Sequence, residues 1–228
     1  MVAKHVLSPC WKAVEKKILS VGSGDGSQQR ALVNLTGCKN LVSTFFDSRK
    51  DVMRKYPDAA ESNLAYLSAH CRSAPLFHID ATKSHEYFGP SFDCAFFTNP
   101  HLGIFCWDPG CKSAHEELLY DSVISMSRIL KPGGELHFTL KSTSFYKSWH
   151  SSLLEAANKV GLVPAPPEHF YRLPGHISRT TLGRDKPKSN GRIPNSDNAT
   201  TFVFQNVDEA ADVLDEKIAD EFWTAYAA

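Results

Sequence analysis

Four groups of polar residues each follow an apolar, strand-like stretch of the sequence. They are an alternating glycine segment at 22–26, Asp47, Asp80 and the segment 99–103, which contains His101. The carboxyl ends of parallel strands meet at one edge of a sheet, which is where α/β proteins bind ligands. Backbone amides, carboxylates and an imidazole at such an edge can hold a polar cofactor and exchange a proton with a substrate. The sequence therefore predicts a ligand crevice built from these four places.

The glycine segment indicates which kind of ligand the crevice would hold. It consists of Gly22, Ser23, Gly24, Asp25 and Gly26. Alternating glycines permit positive φ angles and let a ligand approach the backbone closely. Asp47 lies 21 residues after Gly26, at the end of the next predicted strand. An acid at that place typically binds ribose hydroxyls, so an adenosine-containing ligand is predicted.

Two residues argue against a dinucleotide in this segment. The dinucleotide motif has Gly or Ala where Ser27 stands, and the Asp25 carboxylate would lie near a bound pyrophosphate. The Gly-Lys-Ser/Thr of a phosphate-binding loop is absent from the sequence. S-adenosyl-L-methionine carries a sulfonium and an ammonium and has no phosphate, so an acid among the glycines attracts it. It is the predicted cofactor.

Apolar runs rich in β-branched and aromatic residues alternate with helix-like stretches along the chain. Strands are predicted at 18–21, 40–47, 75–82, 92–99, 135–141 and 200–205, and helices at 27–34, 51–68, 113–130, 149–160 and 208–226. The helix at 51–68 is interrupted near Tyr56 and Pro57, and residues 131–134 end the helix at 113–130. This alternation predicts an α/β fold: a Rossmann-like, doubly wound, mostly parallel sheet in a three-layer α/β/α arrangement.

Composition sets the class of protein. The 228 residues are 42% hydrophobic and 22% charged, as expected for a single globular domain spanning 1–228. Lys plus Arg and Asp plus Glu are equal at 25, yet residues 141–192 hold nine Lys/Arg against three Asp/Glu. A basic face is therefore possible despite the zero net charge. The six scattered cysteines, with no signal peptide and no membrane-spanning stretch, predict an intracellular protein.

Motifs that occur in order over about residues 17–184 resemble those of a known family. They are Gly22-x-Gly24-Asp25-x-Ser27, Thr44-x-x-Asp47-Ser48, Lys55-Tyr56-Pro57, Asp80-Ala81-Thr82-Lys83, Phe92-Asp93, Pro100-His101-x-Gly103, the segment 135–141, Tyr146-x-x-Trp149, Pro174-Gly175-His176 and Arg179-Thr180. The chain is similar to class I S-adenosylmethionine-dependent methyltransferases and, more narrowly, resembles the large-subunit rRNA (uridine-N3)-methyltransferase-like family. The resemblance implies a seven-stranded Rossmann-like domain that methylates a uridine base of ribosomal RNA.

The sequence departs from that family in the loops that would define the substrate. Ser23 stands where the family usually has an acid, and Gly26 stands where it has a bulky aromatic residue. Residues 97–101 read Phe-Thr-Asn-Pro-His instead of Phe-Asn-Phe-Pro-His, and the segment 106–111 is inserted after Gly103. Two alternatives therefore stay open. One is methylation of a small molecule or a protein, and the other is RNA or partner binding without turnover.

The resemblance also implies roles for individual residues. The cofactor-binding residues would be Gly22, Ser23, Gly24, Asp25, Gly26, Asp47, Asp80 and Asn99. Asp47 would accept from ribose hydroxyls and Asp80 would meet the adenine edge, although each could instead cap a neighbouring turn or helix. His101 would be the base that removes the uracil N3 proton, and Lys141 would stabilise charge on a uracil oxygen. A loop-packing imidazole and a surface cation are the alternatives for these two.

Substrate contacts are expected from the later motifs. The residues predicted to touch the substrate are Pro100, Tyr146, Trp149, His176 and Arg179. The predicted partner is ribosomal RNA, in the cytoplasm or in the nucleus and nucleolus, with no membrane and no obligate protein partner. Cys106, Cys111 and His115 have ligand types that suit zinc, with His101 as a possible fourth. Their spacing is not a common zinc pattern, so no metal is predicted.

Overall fold

Seven strands form one sheet in the computed structural model, which describes residues 14–104, 110–141, 147–170, 172–183 and 199–207. The strands are β1 (Ile18–Val21), β2 (Leu41–Phe45), β3 (Leu76–Phe77), β4 (Phe92–Thr98), β5 (Leu130–Lys141), β6 (Val163–His169) and β7 (Ala199–Gln205). Their order across the sheet is β3-β2-β1-β4-β5-β7-β6. Within the described residues, six strands run in the same direction, and β7 runs in the opposite direction between β5 and β6. The predicted Rossmann-like, mostly parallel sheet is therefore confirmed.

Helices cover both faces of the sheet. They are α1 (Ser27–Thr36), α2 (Arg49–Lys55), α3 (Ala60–His70), α4 (Ser84–Tyr87), α5 (Cys111–Ser127) and α6 (Lys147–Lys159), with a 3₁₀ turn at Ala81–Lys83. Strand β4 shows the layering, because Ala95 and Phe97 pack with α5 and α6, whereas Cys94 and Phe96 pack with α1 and α3. Alternate side chains of one strand thus enter two cores, as the near-continuous apolar runs predict for a doubly covered sheet.

The structure corrects several predicted elements. The interruption predicted near Tyr56 and Pro57 is confirmed, because the stretch 51–68 forms two helices, α2 and α3, separated at Tyr56 to Ala59. Other elements differ from the prediction. Strand β3 has two residues instead of eight, and β5 begins at Leu130, before the Pro-Gly-Gly sequence that was expected to precede it. Strand β6 was not predicted, since Pro164, Pro166 and Pro167 argue against a strand; an edge strand tolerates proline because one side makes no ladder. The acidic helix expected at 208–226 lies outside the described residues.

Candidate active site

A cavity of about 560 Å³ opens at the carboxyl ends of β1, β2 and β4. Its volume lies within the range of about 300–1,000 Å³ usual for small-molecule sites. The segment 174–182 and one face of α5 complete its wall. The sequence-predicted residues that line it are Gly22, Ser23, Gly24, Asp25, Asp47, Asp80, Asn99, His101, His176 and Arg179. The four polar groups expected to meet at the sheet edge therefore do meet there.

Gly22 turns the chain sharply at the end of β1. Its φ is +63°, a left-handed value that an L side chain rarely adopts, and a Cβ added there would lie 2.6 Å from Cε2 of Phe97. The neighbouring Ser23 is buried, and its amide donates a hydrogen bond to the carbonyl oxygen of Thr44 on β2 at 3.0 Å. Only glycine fits between the loop and the Phe97 ring, so this position requires the residue that the sequence provides.

Asp25 closes the amino end of α1. Its Oδ1 accepts a hydrogen bond from the Ser27 amide at 2.9 Å, and its Oδ2 accepts from Nε of Arg179 at 3.0 Å. The place where a pyrophosphate would bind a helix amino terminus is thus taken by a carboxylate. Arg179 also balances the charge of Asp25. Any electrostatic attraction of a cationic cofactor to this cavity must therefore come from other acids.

Four further carboxylates line the cavity. They are Asp47, Asp80, Glu117 and Asp121, the last two of which lie one turn apart on α5. Together with Asp25 they make five acids in the described cavity wall, against two cationic side chains, Lys55 and Arg179. The described wall is therefore net negative and favours a ligand with positive groups.

Asp47 and Asp80 have local partners as well as a place in the cavity. Both oxygens of Asp47 accept hydrogen bonds from Nζ of Lys55 at 2.8 Å. Oδ1 of Asp80 accepts from the amide of Thr82 at 2.9 Å and from its hydroxyl at 2.8 Å. Asp80 thus caps the 3₁₀ turn, which was one of its two expected roles, while it also lines the cavity. The capping bonds fix the orientation of its carboxylate.

An apolar pair beside these acids was missed by sequence reasoning. Phe46 is 69% exposed and Ile79 is buried, and both line the cavity. An exposed aromatic ring next to Asp47 offers a flat surface for a purine ring. The adjacency of Phe46 to Asp47 was the available signal for this residue.

The loop after β4 holds His101 in a defined tautomer. Nδ1 of His101 accepts a hydrogen bond from the Gly103 amide at 2.9 Å, so the proton of the neutral ring belongs on Nε2. The His101 ring packs edge-on against His115, with centroids 4.5 Å apart. Asn99, two residues before His101, has a φ of +52°. Its backbone amide donates a hydrogen bond to the carbonyl oxygen of Thr139 on β5 at 2.9 Å. A left-handed non-glycine residue at a cavity is typical of a functional loop.

His115 is the buried support under this loop. Its Nε2 accepts from the Leu102 amide at 3.1 Å, and its Nδ1 donates to the Cys111 carbonyl at 2.8 Å. Burial lowers the pKa of His115, so the ring stays neutral at physiological pH. Trp149 of α6 stacks on its other face at 4.6 Å. The loop 101–103 is thus fastened to α5 through His115.

The segment 174–182 lies across the glycine loop. The Ile177 amide donates to Oγ of Ser27 at 3.1 Å, and Nδ1 of His176 lies 3.1 Å from the same oxygen. Burial, followed by the charge of Arg172, lowers the pKa of His176 to about 4. His176 is therefore neutral near pH 7 and packs against the start of α1. His176 and Arg179, both expected to touch the substrate, line the cavity and contact Ser27 and Asp25 beside the predicted cofactor loop.

Several predicted site residues lie elsewhere. Gly26 faces α3, where its Cβ would be 3.3 Å from Cβ of Asn63. Pro100 is buried, and Lys141 ends β5 opposite Ala199; neither contributes to the described cavity wall. Trp149 is 1% exposed and belongs to the core, so the structure does not bring it to the cavity. Tyr146 and Cys106 lie outside the described residues.

Among the residues that the structure describes, no three His, Cys, Asp or Glu side chains come together as metal ligands. No helix in that part of the chain has the length and hydropathy to cross a bilayer.

The sequence of this chain matches one protein-family model and two proteins of Arabidopsis thaliana. A family model described as BMT5-like, rRNA (uridine-N3-)-methyltransferase BTM5-like, matches residues 19–171. Heavy metal-associated isoprenylated plant protein 41 of Arabidopsis thaliana is 32% identical over 215 residues, which cover 89% of this chain and 39% of that protein. This chain therefore spans well under half of that relative. An uncharacterized protein of Arabidopsis thaliana is 25% identical over 178 residues, covering 73% of this chain and 83% of its own.

A solved structure also aligns with most of this chain. It is a variant of the 16S rRNA (adenine(1408)-N(1))-methyltransferase of Catenulisporales acidiphilia, crystallised with its cosubstrate. The two chains are 13% identical with a TM-score of 0.49, and the alignment covers 91% of this chain and 95% of the other.

Proposed function

Because the chain belongs to the BMT5-like family of rRNA (uridine-N3-)-methyltransferases, we propose that it transfers a methyl group from S-adenosylmethionine to N3 of a uridine in ribosomal RNA. The observation that carries the cofactor assignment is the cavity at the carboxyl ends of β1, β2 and β4. It is walled by acids, and its helix amino terminus is closed by Asp25. Such a site repels a pyrophosphate and suits a ligand with two positive groups.

Different cavity residues would contact the methionine, ribose and adenine parts of the cofactor. The glycine loop, from Gly22 to Asp25, would lie along the methionine end. Asp47 would accept hydrogen bonds from the ribose hydroxyls while Lys55 holds its carboxylate in place. Phe46 and Ile79 would enclose the adenine, with Asp80 at its polar edge. When bound, S-adenosylmethionine supplies an electrophilic methyl group on a sulfonium.

Replacement of Asp47 by asparagine tests the ribose assignment. Hydrogen bonds to a charged group contribute about 1.5–3 kcal/mol each, so Asp47→Asn should weaken S-adenosylmethionine binding roughly 10- to 100-fold. Titration calorimetry measures the change. Asp51→Asn is the matched control, because Asp51 lies in an exposed ion pair with Arg54 on the same helix; its affinity should match the wild type. Equal affinities of Asp47→Asn and wild type would remove Asp47 from the site.

His101 is the residue best placed to act on the substrate. Its ring lines the cavity, and the Gly103 amide bond to Nδ1 leaves the ring proton on Nε2. The sequence suggested a general base, but Nε2 in this tautomer donates a hydrogen bond. We therefore assign His101 as a neutral donor to a uracil carbonyl oxygen. Stabilising negative charge on that oxygen lets the N3 proton pass to solvent water as N3 attacks the methyl group, as fixed donors do for charge in other active sites.

Two variants of His101 separate a donor from a base. Removing one such donor lowers kcat by about 10²–10³, so His101→Ala should lose activity by that order. Glutamine keeps an N–H donor, so His101→Gln should retain more activity than His101→Ala, with the pH–rate profile of the wild type. Steady-state kinetics across pH 6–9 supply the measurement. Equal loss in both variants, with a titration lost from the acidic limb, would show that His101 is a base.

Mass spectrometry of RNA nucleosides tests the proposed reaction. Ribosomal RNA from cells that lack the protein is incubated with purified protein and S-adenosylmethionine, and N3-methyluridine should appear. A methyl group on another nucleoside would contradict the uridine-N3 assignment and keep the RNA assignment. An rRNA substrate would place the protein in the cytoplasm or in the nucleus and nucleolus.

A second candidate is transfer of the same methyl group to a small molecule or a protein. Glu117 and Asp121, which are exposed on α5 at the rim of the cavity, favour it. Their carboxylates would repel the phosphates of an RNA strand within a Debye length of about 8–10 Å. If RNA passes this rim, the double variant Glu117→Gln/Asp121→Asn should bind RNA more tightly than the wild type does. The gain in affinity should be larger at low salt. An unchanged RNA affinity, together with unmodified ribosomal RNA, would support the second candidate.

A further inference from the structure

Arg179 makes an unusual pair of contacts for a side chain expected at an RNA surface. Its side chain is 3% exposed. Its Nε donates to Oδ2 of Asp25 at 3.0 Å, and its Nη2 donates to Oδ2 of Asp58 at 2.8 Å. Arginine is almost never this buried unless it is paired. Its planar guanidinium bridges two carboxylates, one just before α1 and the other between α2 and α3.

The same segment is fastened at two other points. The Ile177 amide donates to Ser27 Oγ at 3.1 Å, and the Tyr56 hydroxyl donates to the Thr180 carbonyl at 2.8 Å. Gly183 follows with a φ of +53°, and a Cβ there would lie 2.5 Å from the carbonyl oxygen of Lys55. The segment 174–182, which we call the strap, therefore joins the start of α1 to the end of α2.

Asp25 connects the strap to the glycine loop. One oxygen of its carboxylate caps the Ser27 amide at 2.9 Å and the other is held by Arg179. Its carbonyl accepts from Nδ2 of Asn63 at 2.9 Å, so both the backbone and the side chain of this residue are fixed. Loss of the guanidinium would leave a carboxylate that is 3% exposed without its charge partner. The Asp25 side chain would then move towards water and release the Ser27 amide.

We propose that Arg179 is a positioning residue, which locks the strap to Asp25 and thereby sets the conformation of the glycine loop for cofactor binding. Arg179 does not need to contact the substrate for this role. Only the identity of the cofactor rests on the function proposed above; the lock itself is a property of the chain. Lysine would not substitute, because one ammonium does not reproduce a fork aimed at two carboxylates.

Hydrogen exchange of the protein without cofactor tests the lock directly. In Arg179→Gln, the amides of Ser27 and Ile177 should exchange at least roughly 10-fold faster, because both depend on the contacts just described. Arg179→Lys should lie between Arg179→Gln and wild type. The matched control is Arg54→Gln, since Arg54 pairs with Asp51 at 3.5 Å on the exposed face of α2. Its exchange at the two amides should equal that of wild type.

The double variant Asp25→Asn/Arg179→Gln keeps the test valid if Arg179→Gln folds poorly, because it leaves no buried carboxylate without a charge partner; Asp58 is exposed. It should be more stable to urea than Arg179→Gln, which is the coupling expected of a paired contact. In calorimetry, Arg179→Gln should bind S-adenosylmethionine at least roughly 10-fold more weakly than wild type, with Arg54→Gln unchanged.

The outcomes separate the lock from the cofactor assignment. Faster exchange in Arg179→Gln, with no S-adenosylmethionine binding by any variant or by wild type, would support the lock and reject the proposed function. Unchanged exchange at Ser27 and Ile177 in a folded Arg179→Gln, with wild-type cofactor affinity, would overturn the proposal.

Discussion

Gly22→Ala should abolish measurable cofactor binding. The new Cβ would lie 2.6 Å from Cε2 of Phe97, in a backbone with φ +63°. The Phe97 ring is itself packed against Phe138, with centroids 6.0 Å apart, so it cannot withdraw without disturbing the core. Overpacking typically costs about 1–3 kcal/mol, and a left-handed φ on a non-glycine residue adds about 1–2 kcal/mol. The glycine loop has to move, and the cavity wall moves with it.

Two glycines with similar φ angles are the controls for this experiment. Gly24 has φ +57° and Gly133 has φ +74°, and none of the described atoms lies within 4 Å of an added Cβ at either position. Gly24→Ala carries the cost of φ without the clash, so it should unfold at higher urea than Gly22→Ala. Gly133→Ala, on the turn inside β5, should lose about 1 kcal/mol with unchanged cofactor affinity. Equal stability of Gly22→Ala and Gly24→Ala would contradict the close approach to Phe97.

Trp149→Ala should cost the most stability of any single change considered. The side chain is 1% exposed and stacks on His115 at 4.6 Å, among core residues of α5 and α6. Truncating a buried tryptophan typically costs about 3–5 kcal/mol, a large part of the total for an ordinary domain. The loop 101–103 should loosen as well, because His115 fastens it. Urea unfolding gives the free energy, and hydrogen exchange at the Leu102 amide reports the loop.

Trp149→Phe is the matched variant. A phenyl ring keeps the stack on His115 and leaves a smaller void, so the loss should be well below that of Trp149→Ala. If Trp149 contacts RNA as the sequence suggested, Trp149→Ala should instead leave the unfolding free energy unchanged and weaken RNA binding. That result would contradict the core placement.

The sequence was enough to predict that the polar residues of the site lie close together. That prediction needs only the local strand patterns and the rule that parallel strands end at one edge of a sheet. Each strand shows as a short apolar run, and each polar group follows its strand within two or three residues. Parallel strands then bring those ends to one edge, as the register of β1 with β2 and β4 shows. Asp47, Asp80 and His101 therefore lie where their spacing placed them.

The partners of those residues were not predictable, because they come from far along the chain. Arg179 meets Asp25 across 154 residues of sequence, and no local pattern distinguishes a buried arginine from a phosphate-binding one. Trp149 has an aromatic motif that suits base stacking, yet its burial is decided by the packing of α6 on α5. Strand β6 was hidden by its prolines, which are tolerated only because the strand lies at the edge of the sheet.

The structure also changes the reason for preferring S-adenosylmethionine. Asp25 was expected to attract the cofactor by its charge, but Arg179 neutralises it. Asp47 is likewise paired with Lys55, so the preference now rests on Asp80, Glu117 and Asp121, and on a helix amino terminus already closed to phosphate. This set predicts stronger discrimination against pyrophosphate than a single acid would give.

Titration of the wild-type protein with S-adenosylmethionine tests that central claim most directly. The cavity should bind one molecule per chain with a dissociation constant of about 1–100 μM, or roughly −8.2 to −5.5 kcal/mol. Nicotinamide adenine dinucleotide, which has an adenosine and a pyrophosphate, should give no heat under the same conditions. Absence of binding at millimolar S-adenosylmethionine, or saturable binding of the dinucleotide in its place, would contradict the assignment of this cavity.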